Sequence, residues 1–147
     1  MPNGVIPLVR EKIAQNIRRH GWMSLSVSAD SNFTYTTGLS EKGWPELIVF
    51  GVPGQVAHDI ITKIVQKNVC PTEGERFQYN GFPAVLRAVP SEAACRQYAV
   101  QACAYYERLL PISQVVLSDK NKVLPWEPGC LAQSQSVIMD WASCPPL

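Results

Sequence analysis

Hydrophobic and polar positions follow two different periods along the chain, and these predict a helix and then a strand near the amino terminus. Val9, Ile13 and Ile17 recur at every fourth position among charged residues, which predicts an amphipathic helix that ends at Gly21. From Trp22 to Ala29 apolar residues alternate with serines, a pattern typical of a half-buried strand. We therefore expect a helix followed by a strand with one apolar face and one serine-rich face.

The next segments predict a hairpin, a central strand and a second helix. Asp30-Ser31-Asn32 favours a turn, and Phe33 to Leu39 is typical of a second strand. Leu47 to Phe50 is apolar at every position, which predicts a strand that is buried on both faces. Pro53 then leads into a helix that ends before Pro71.

The second half of the chain predicts one more hairpin, a long helix and a last strand. Phe77 to Val89 is extended and is interrupted by the turn pair Asn80-Gly81. Pro83 places this hairpin near a sheet edge, because proline has no N–H to donate to a neighbouring strand. Ser91 is the expected N-cap of a helix that runs to about Leu110, and Ile112 to Leu117 is the last clear strand.

Clustered hairpins, rather than a regular alternation of strands and helices, indicate the fold class. We expect a single α+β domain over residues 1–147, with a mainly antiparallel or mixed sheet covered by about three helices. Residues 135–147 form a candidate irregular tail. A chain of 147 residues is long enough to bury one sizeable core.

Composition and charge exclude several classes of function. The chain is 46% hydrophobic and 17% charged, and 13 basic against 12 acidic residues give a net charge of +1. Intrinsic disorder is excluded, and a role as a nucleic-acid binder is not expected at this charge. No run approaches 18 apolar residues and no signal-like segment opens the chain, so we expect no membrane contact and a cytoplasmic location.

Five cysteines and two histidines offer little recognisable chemistry. Cys95 and Cys103 both fall in the predicted third helix, where their spacing would hold the Cα atoms too far apart for a disulfide. We therefore expect all five cysteines to be thiols in a reducing compartment. His20 and His58 have no partner at a metal-ligand spacing, so no metal site is expected, and no nucleotide-binding or hydrolase motif assigns a cofactor.

Polar residues at strand ends are the candidate ligand contacts. Tyr35 and Thr37 end a strand beside Gly38, although strand propensity alone would also explain both residues. Glu46 follows Trp44 at the start of the central strand, as either a polar cap or a site residue. A flat ligand could stack on the indole of Trp44.

Two further positions have two interpretations each. Trp126 and Glu127 lie between Pro125 and Pro128, where they would either wall a pocket or close the core. Arg87 lies within an apolar extended run, as an outward residue of an edge or as the partner of a buried anion.

Three ordered segments resemble the bacterial family known as domain of unknown function 4262. Members carry a Y-T-x-G-L strand, a P-E-L strand and a late P-D-x-x-G-x-x-P-W-x-P-G stretch, and the resemblance covers about residues 5 to 135. The matching segments here are Tyr35–Leu39, Pro45–Gly51 and Gln114–Gly129. The resemblance implies a fold but no mechanism, and it adds Asp119 to the candidate site residues.

The chain departs from the family pattern at three positions. Ser118 stands where the family usually has proline, Lys122 where glycine is common, and Trp44 where a histidine is frequent. The last difference weakens any scheme that uses a histidine beside the P-E-L strand.

Three functions remain open. The first is small-ligand binding in a pocket formed by the ends of the Tyr35–Leu39 and Glu46–Gly51 strands and roofed by Pro125–Gly129. The second is a protein-interaction or inhibitory accessory protein of a bacterium or its viruses, or a homo-oligomer, which would use the strand near Pro83 and the tyrosines of the third helix. The third is an enzyme with Glu46 or Asp119 as general acid or base.

Overall fold

A computed structural model describes residues 6–28, 32–131 and 135–141. The chain forms α1 (Pro7–His20), β1 (Met23–Ser28), β2 (Asn32–Thr37), a short 3-10 helix (Leu39–Lys42), β3 (Glu46–Phe50), α2 (Gly54–Gln66), β4 (Arg76–Tyr79), β5 (Phe82–Val89), α3 (Ser91–Gln97), α4 (Val100–Tyr106) and β6 (Ile112–Leu117). Ala29, Asp30 and Ser31, which the sequence predicts as a strand end and turn, lie outside the described residues, as does Cys144.

The six strands form one mixed sheet in the order β1-β2-β3-β6-β5-β4. Neighbouring strands pair antiparallel except β3 and β6, which pair in parallel with Glu46 opposite Ile112. The α+β fold class with a mixed sheet is therefore confirmed. Leu47 to Phe50 of β3 are all buried, as predicted from their unbroken apolar run, and Glu46 at the start of the strand is buried as well.

Helices and loops cover both faces of the sheet. On one face, Ile60, Ile61 and Ile64 of α2 pack against Leu47 and other apolar side chains of the sheet. On the other face, α3, α4 and the segment after β6 pack against a cluster whose sheet residues are Phe33, Tyr35, Ile48, Phe50, Val85, Val89, Ile112 and Val116. Alternate residues of each strand thus enter separate cores.

The predicted amino-terminal helix is confirmed, and it lies at one end of the sheet. Gly21 adopts φ +83° and its N–H closes α1 on the carbonyl of Ile17 at 2.7 Å. The guanidinium of Arg10 donates to the carbonyl of Tyr105 in α4 at 2.9 Å, and its charge lies 5.0 Å from that tyrosine ring. Helix α1 therefore touches the α4 layer near its start.

The predicted third helix is broken in two, and the expectation that Cys95 and Cys103 cannot bridge is wrong. The chain leaves the helical conformation at Tyr98 and Ala99, between α3 and α4. This break brings the two Cα atoms to 5.8 Å, and the cysteines form a disulfide. The spacing argument failed because it assumed an unbroken helical rise.

Of the smaller predictions about this half of the chain, the helix cap is wrong and the hairpin is right. Pro90, not Ser91, is the cap residue of α3, and no side-chain hydrogen bond caps the helix. The prediction that the hairpin lies near a sheet edge is confirmed, because β4 is the edge strand. Pro83 itself lies in the neighbouring strand β5, and its carbonyl accepts a hydrogen bond from the N–H of Ser118 at 3.0 Å. The hairpin turn itself is confirmed, because Asn80 and Gly81 both have positive φ.

Residues 135–141 are irregular in backbone but pack into the core. Gln135 donates to the carbonyl of Phe50 at 2.8 Å and accepts from the N–H of Leu117 at 3.1 Å. Gln114 donates to the carbonyl of Gln135 at 2.8 Å, while the indole N–H of Trp141 donates to the side-chain oxygen of Gln114 at 3.3 Å. Buried polar groups therefore hold this segment on strands β3 and β6.

Candidate functional site

Glu46 is fully buried at the start of β3, where its carboxylate binds the loop that follows β2. Its Oε1 accepts from the hydroxyl of Thr36 at 2.7 Å and from the N–H of Leu39 at 3.2 Å. Its Oε2 accepts from the N–H of Gly38 at 3.2 Å, and from the N–H and the hydroxyl of Ser40 at 2.9 and 2.6 Å. We call this cluster, Glu46 with residues 36–40, the Glu46 lock.

The electrostatics of the Glu46 lock reflect burial. Removal from water raises the pKa of Glu46, and hydrogen bonds from Ser40, Thr36 and Leu39 oppose that rise. Five donors occupy both carboxylate oxygens, which fills the acceptor capacity of the group. Glu46 therefore binds its own chain, so it serves the loop and not a ligand in this arrangement.

The Glu46 lock gives a structural reason for two of the family segments. The Thr36 hydroxyl donates to Glu46 and accepts from the N–H of Leu47 at 2.9 Å, so it joins the Y-T-x-G-L and P-E-L strands. Gly38 has φ +117°, and a Cβ there would lie 2.8 Å from the Cα of Trp22. Glycine is therefore required both for the backbone conformation and for the close approach of Trp22.

The other candidate residues at this end of the sheet have separate environments. Tyr35 is buried in the core, and its hydroxyl accepts from the N–H of Gln101 at 3.2 Å while burial raises its pKa. Thr37 is buried at the end of β2. Trp44 is half-buried, and the ammonium group of Lys42 lies 4.7 Å from its ring centre.

Asp119 and Glu127 organise the loop after β6. Asp119 accepts hydrogen bonds from the N–H groups of Asn121 and Val123 at 2.9 Å and of Leu131 at 2.8 Å. The N–H groups of Leu131 and Val123 lower the pKa of Asp119, because they favour its charged form. Glu127 is exposed, and its Oε1 accepts from the N–H of Leu124 at 2.7 Å.

Trp126 is buried in the core beside Trp141, with ring centres 6.1 Å apart. The guanidinium of Arg87 lies 5.0 Å from the Trp126 ring and 5.2 Å from the Trp141 ring. Its Nε donates to Glu73 at 2.7 Å, so the anion partner of Arg87 is a residue of the same chain. Trp126 thus closes the core, and Arg87 covers both indoles.

The structure does not bring all the candidate residues together. Glu46 and Gly38 lie at the end of the sheet where Glu46 pairs with Ile112, the first residue of β6. Asp119 follows Leu117, the last residue of β6, and therefore lies beyond the opposite end of that strand. Pro125–Gly129 accordingly does not roof the Glu46 lock.

A cleft of about 560 Å³ lies between the last turn of α1, the start of β1 and one side of α2. Both histidines of the chain, His20 and His58, lie in this cleft, although they are 38 positions apart in the sequence. We call it the histidine cleft. Its lining residues are Asn16, His20, Trp22, Met23, Ser24, His58, Thr62, Val65 and Gln66.

Two contacts orient the imidazole of His58 within the histidine cleft, and a third binds its backbone. The ring of Trp22 stacks on the imidazole, with centres 5.2 Å apart and planes inclined by 26°. Ser24 Oγ lies 2.9 Å from His58 Nδ1, and the hydroxyl of Thr62 donates to the backbone carbonyl of His58 at 2.7 Å. The ring position is therefore determined by a neighbouring strand as well as by its own helix.

Small side chains on β1 explain how α2 approaches the strand. A Cβ at Gly54 would lie 2.5 Å from Ser26 Oγ, so a larger residue where α2 begins would force Ser26 to move. Ser26 in turn hydrogen-bonds Thr34 at 2.8 Å, and Ser24 faces His58 one turn along the helix. The serine-rich face of β1 is thus the floor under α2.

Sequence reasoning did not find the histidine cleft, because its residues come from three elements and form no spaced motif. The sequence gives His20 and His58 no partner, since neither has another ligand at a metal-binding spacing. The one available signal is the alternation of serines in β1. These side chains are too small to fill the space between the strand and a helix packed on it.

The match to a family model decides the relationship suggested by the three sequence segments. The model described as Domain of unknown function (DUF4262) matches residues 16–131. The chain belongs to the DUF4262 family. The match spans the Glu46 lock and the histidine cleft, with residues 135–141 beyond it. No curated protein and no solved structure matches the chain.

Two structural findings bear on metals and membranes. Within residues 6–28, 32–131 and 135–141, no group of three or more His, Cys, Asp or Glu side chains is placed to hold a metal ion. None of the helices formed by those residues has the length and apolar character needed to cross a bilayer.

Proposed function

We propose that this DUF4262 protein is a small-ligand-binding domain and that its ligand occupies the histidine cleft. The observation that carries the proposal is the convergence of His20, His58, Ser24 and the indole of Trp22 on one cavity. A concave site with an apolar wall and a few polar groups is typical of ligand sites, and about 560 Å³ lies within their usual range.

The Glu46 lock supports this site from behind. It holds Gly38, whose backbone lies against the Cα of Trp22 and the carbonyl of Gly21. Trp22 in turn stacks on His58. The candidate residues Gly38 and Glu46 thus act in our proposal as positioning residues for the cleft, one layer away from the ligand.

Binding without covalent chemistry is what the geometry favours. Ser24 and His58 are hydrogen-bonded, which is the first requirement of an activated nucleophile. Among the described residues, however, no carboxylate contacts the imidazole, because Asp59 is engaged by the hydroxyl of Tyr79 at 2.6 Å and by Lys63. The described residues therefore supply no third group that would orient His58 as a general base for Ser24.

The tyrosines of the interaction hypothesis have internal partners. Tyr98 packs edge-on against Phe33 and Phe50, with ring centres 5.4 and 5.3 Å apart. The hydroxyl of Tyr106 donates to Glu41 at 2.8 Å, and burial together with that carboxylate raises its pKa. These contacts favour a ligand site in the cleft over a partner surface on α3 and α4.

A variant that fills the histidine cleft tests the proposal. Native mass spectrometry of protein from its own host would identify a retained small molecule, and two-dimensional NMR would map its contacts. We expect shifts at the Trp22 indole and loss of binding in Ser24→Leu. Ser28→Leu, the same change at an exposed site on the same strand, is the control. Binding that survives Ser24→Leu, or shifts confined to Trp126, would contradict the proposal.

We also propose a cytoplasmic location in a bacterium. The exposed thiol of Cys70 supports it, because accessible thiols are stable in reducing compartments. The Cys95–Cys103 disulfide points the other way, since such bonds are rare in the cytosol. Alkylation of freshly lysed host cells decides: modified Cys95 and Cys103 support the cytoplasm, and an intact disulfide in every molecule contradicts it.

A further inference from the structure

We infer that the ligand of the histidine cleft is a small organic anion with a flat apolar body, such as an aromatic carboxylate. This inference rests on the proposed function and adds the ligand class. The titratable side chains among the described lining residues are His20 and His58, and no Asp or Glu is among them. A ligand in the cleft therefore meets groups that gain positive charge and none that gain negative charge.

The neutral polar lining is suited to the same ligand class. Ser24, Thr62, Asn16 and Gln66 contribute hydroxyl and amide groups that can donate hydrogen bonds to an oxyanion. Thr62 uses its proton on the carbonyl of His58, Ser24 and His58 share one proton between them, and Asn16 donates one amide proton to the carbonyl of Lys12. The second amide proton of Asn16, the amide of Gln66 and the other ring nitrogens of the histidines are the donors that remain. Hydrogen bonds to an ionised acceptor are shorter and stronger than neutral ones.

Charges flanking the histidine cleft add to the positive field. The last turn of α1 carries Arg18 and Arg19 beside His20, and Arg18 is paired with Glu11 at 3.4 Å. On α2, Lys63 follows Thr62, and the acidic Asp59 beside His58 is bound to Lys63 at 3.9 Å. Strand β1, Met23 to Ser28, has no charged residue. Of the three elements that line the cleft, two thus carry basic residues next to it, and each of the carboxylates of Glu11 and Asp59 is paired with one of those residues.

The apolar part of the lining determines the shape of the ligand. The Trp22 ring, already stacked on His58, presents an aromatic surface, and Met23 and Val65 complete an apolar wall. Flat ligands bind such surfaces through offset stacking and apolar burial. We therefore infer that an aromatic body lies along Trp22 and that its carboxylate faces the two imidazoles.

Binding should strengthen as the pH falls, because an imidazole gains its proton between about pH 8 and pH 5. The groups that face the site from each element are His20 on α1 and His58 on α2, with none on β1. The charged residues beside these histidines on the same two helices are Arg18, Arg19, Lys63, Glu11 and Asp59. The change in affinity would therefore report the protonation of the two histidines.

Paired probes test the charge directly. 2-Naphthoate and 2-naphthamide have the same flat body but differ in charge, and inorganic phosphate supplies the charge alone. By calorimetry on the full chain, we expect naphthoate to bind about tenfold more tightly at pH 5.5 than at pH 8. Naphthamide should be independent of pH, and phosphate should bind more weakly than naphthoate.

Variants assign the effect to the histidines. His20→Gln and His58→Gln should each reduce the pH dependence of naphthoate binding, and the double variant should remove it. Arg96→Gln, which removes an exposed cation from α3 on the other side of the sheet, is the matched control and should change nothing. In the native protein, naphthoate should raise the pH at which the imidazole NMR signals of both histidines titrate, which checks the assignment without any substitution.

Each outcome has one meaning. Equal binding of naphthamide and naphthoate would overturn the anionic class while leaving the cleft as a binding site. If phosphate bound as tightly as naphthoate, the inference that the ligand has a flat apolar body would be wrong. No binding of any probe by the folded protein would overturn both this inference and the proposed function.

Discussion

Glu46 is a buried carboxylate whose ligands are groups of its own chain. We expect Glu46→Gln to lower the free energy of unfolding by about 2–4 kcal/mol, because the amide NH₂ would face N–H and O–H donors that need an acceptor. Urea unfolding followed by circular dichroism measures the loss. Glu127→Gln is the control, since its amide oxygen can still accept from Leu124. A Glu46→Gln variant as stable as the control would refute the structural role of Glu46.

Asp119 makes stability depend on acid in a definite direction. Its pKa is lowered in the folded protein, so the folded state binds the proton less readily than the unfolded chain does. The stabilisation is present above the ordinary pKa of an aspartate and is lost as the pH falls through the lowered value. We expect Asp119→Asn to be less stable than the native protein at pH 7, with the gap narrowing as the pH falls below the ordinary pKa of an aspartate. Urea midpoints at a series of pH values check this, and a gap that widens in acid would contradict it.

Lys122 has φ +66°, in the left-handed region that favours glycine. Glycine is common here in the family, and the backbone now supplies the reason. We expect Lys122→Gly to raise the free energy of unfolding by about 0.5–1 kcal/mol, because relief of the strained conformation exceeds the added chain entropy. Lys120→Gly, two positions earlier and without a positive φ, should lower stability in the same thermal unfolding assay. If both variants lose stability equally, the strain is absent.

At the scale of elements, periodicity was sufficient for most of the fold. Helix α1 ends at Gly21, the Asn80-Gly81 turn joins β4 and β5, and β3 is buried as its apolar residues require. These features depend on local chemistry that is visible in a short window of sequence. The break at Tyr98–Ala99 was missed because its cause is tertiary: Ala99 is buried and Tyr98 packs between Phe33 and Phe50.

The same distinction explains the candidate site. Glu46 and Gly38 were identified because each lies in a recognisable segment, but their partnership depends on a hydrogen-bond network that no pattern contains. The histidine cleft was invisible for a related reason, since its walls come from α1, β1 and α2. Packing between distant elements is not encoded in the periodicity of any one of them.

The disulfide between α3 and α4 gives a prediction at this scale. A cross-link that closes a loop of this size should stabilise the fold by about 2.5 kcal/mol through the entropy of the unfolded chain. We expect a reductant to lower the free energy of unfolding of air-oxidised protein by that amount. The stability of the Cys95→Ala/Cys103→Ala variant should not change when reductant is added. The Cys70→Ala variant, which lacks only an exposed thiol, should lose as much stability on reduction as the native protein does. If reductant also destabilised the double variant, the stabilisation would not come from the Cys95–Cys103 disulfide.

At the scale of the molecule, the segment beyond the family match completes the core. Trp141 is 1% exposed, and it contacts Trp126, Arg87 and Gln114. We expect Trp141→Ala to cost about 3–5 kcal/mol in the free energy of unfolding, as for other large aromatic deletions in cores. Leu131→Ala, at an exposed apolar residue, is the control and should cost little. Chemical unfolding at pH 7 measures both, and equal stability of the two variants would show that residues 135–141 do not hold the core.

The parallel pairing of β3 with β6 also has a consequence for how the chain folds. The β1–β2 and β4–β5 hairpins are local and can form early, whereas the β3–β6 pairing joins opposite halves of the chain. Contacts of such long separation slow folding, because the intervening loop must be closed before they form. During synthesis, the apolar strand Glu46–Phe50 leaves the ribosome well before Ile112–Leu117 does. One edge of that strand therefore stays open until the last strand arrives, and this interval is when the chain is most exposed to aggregation.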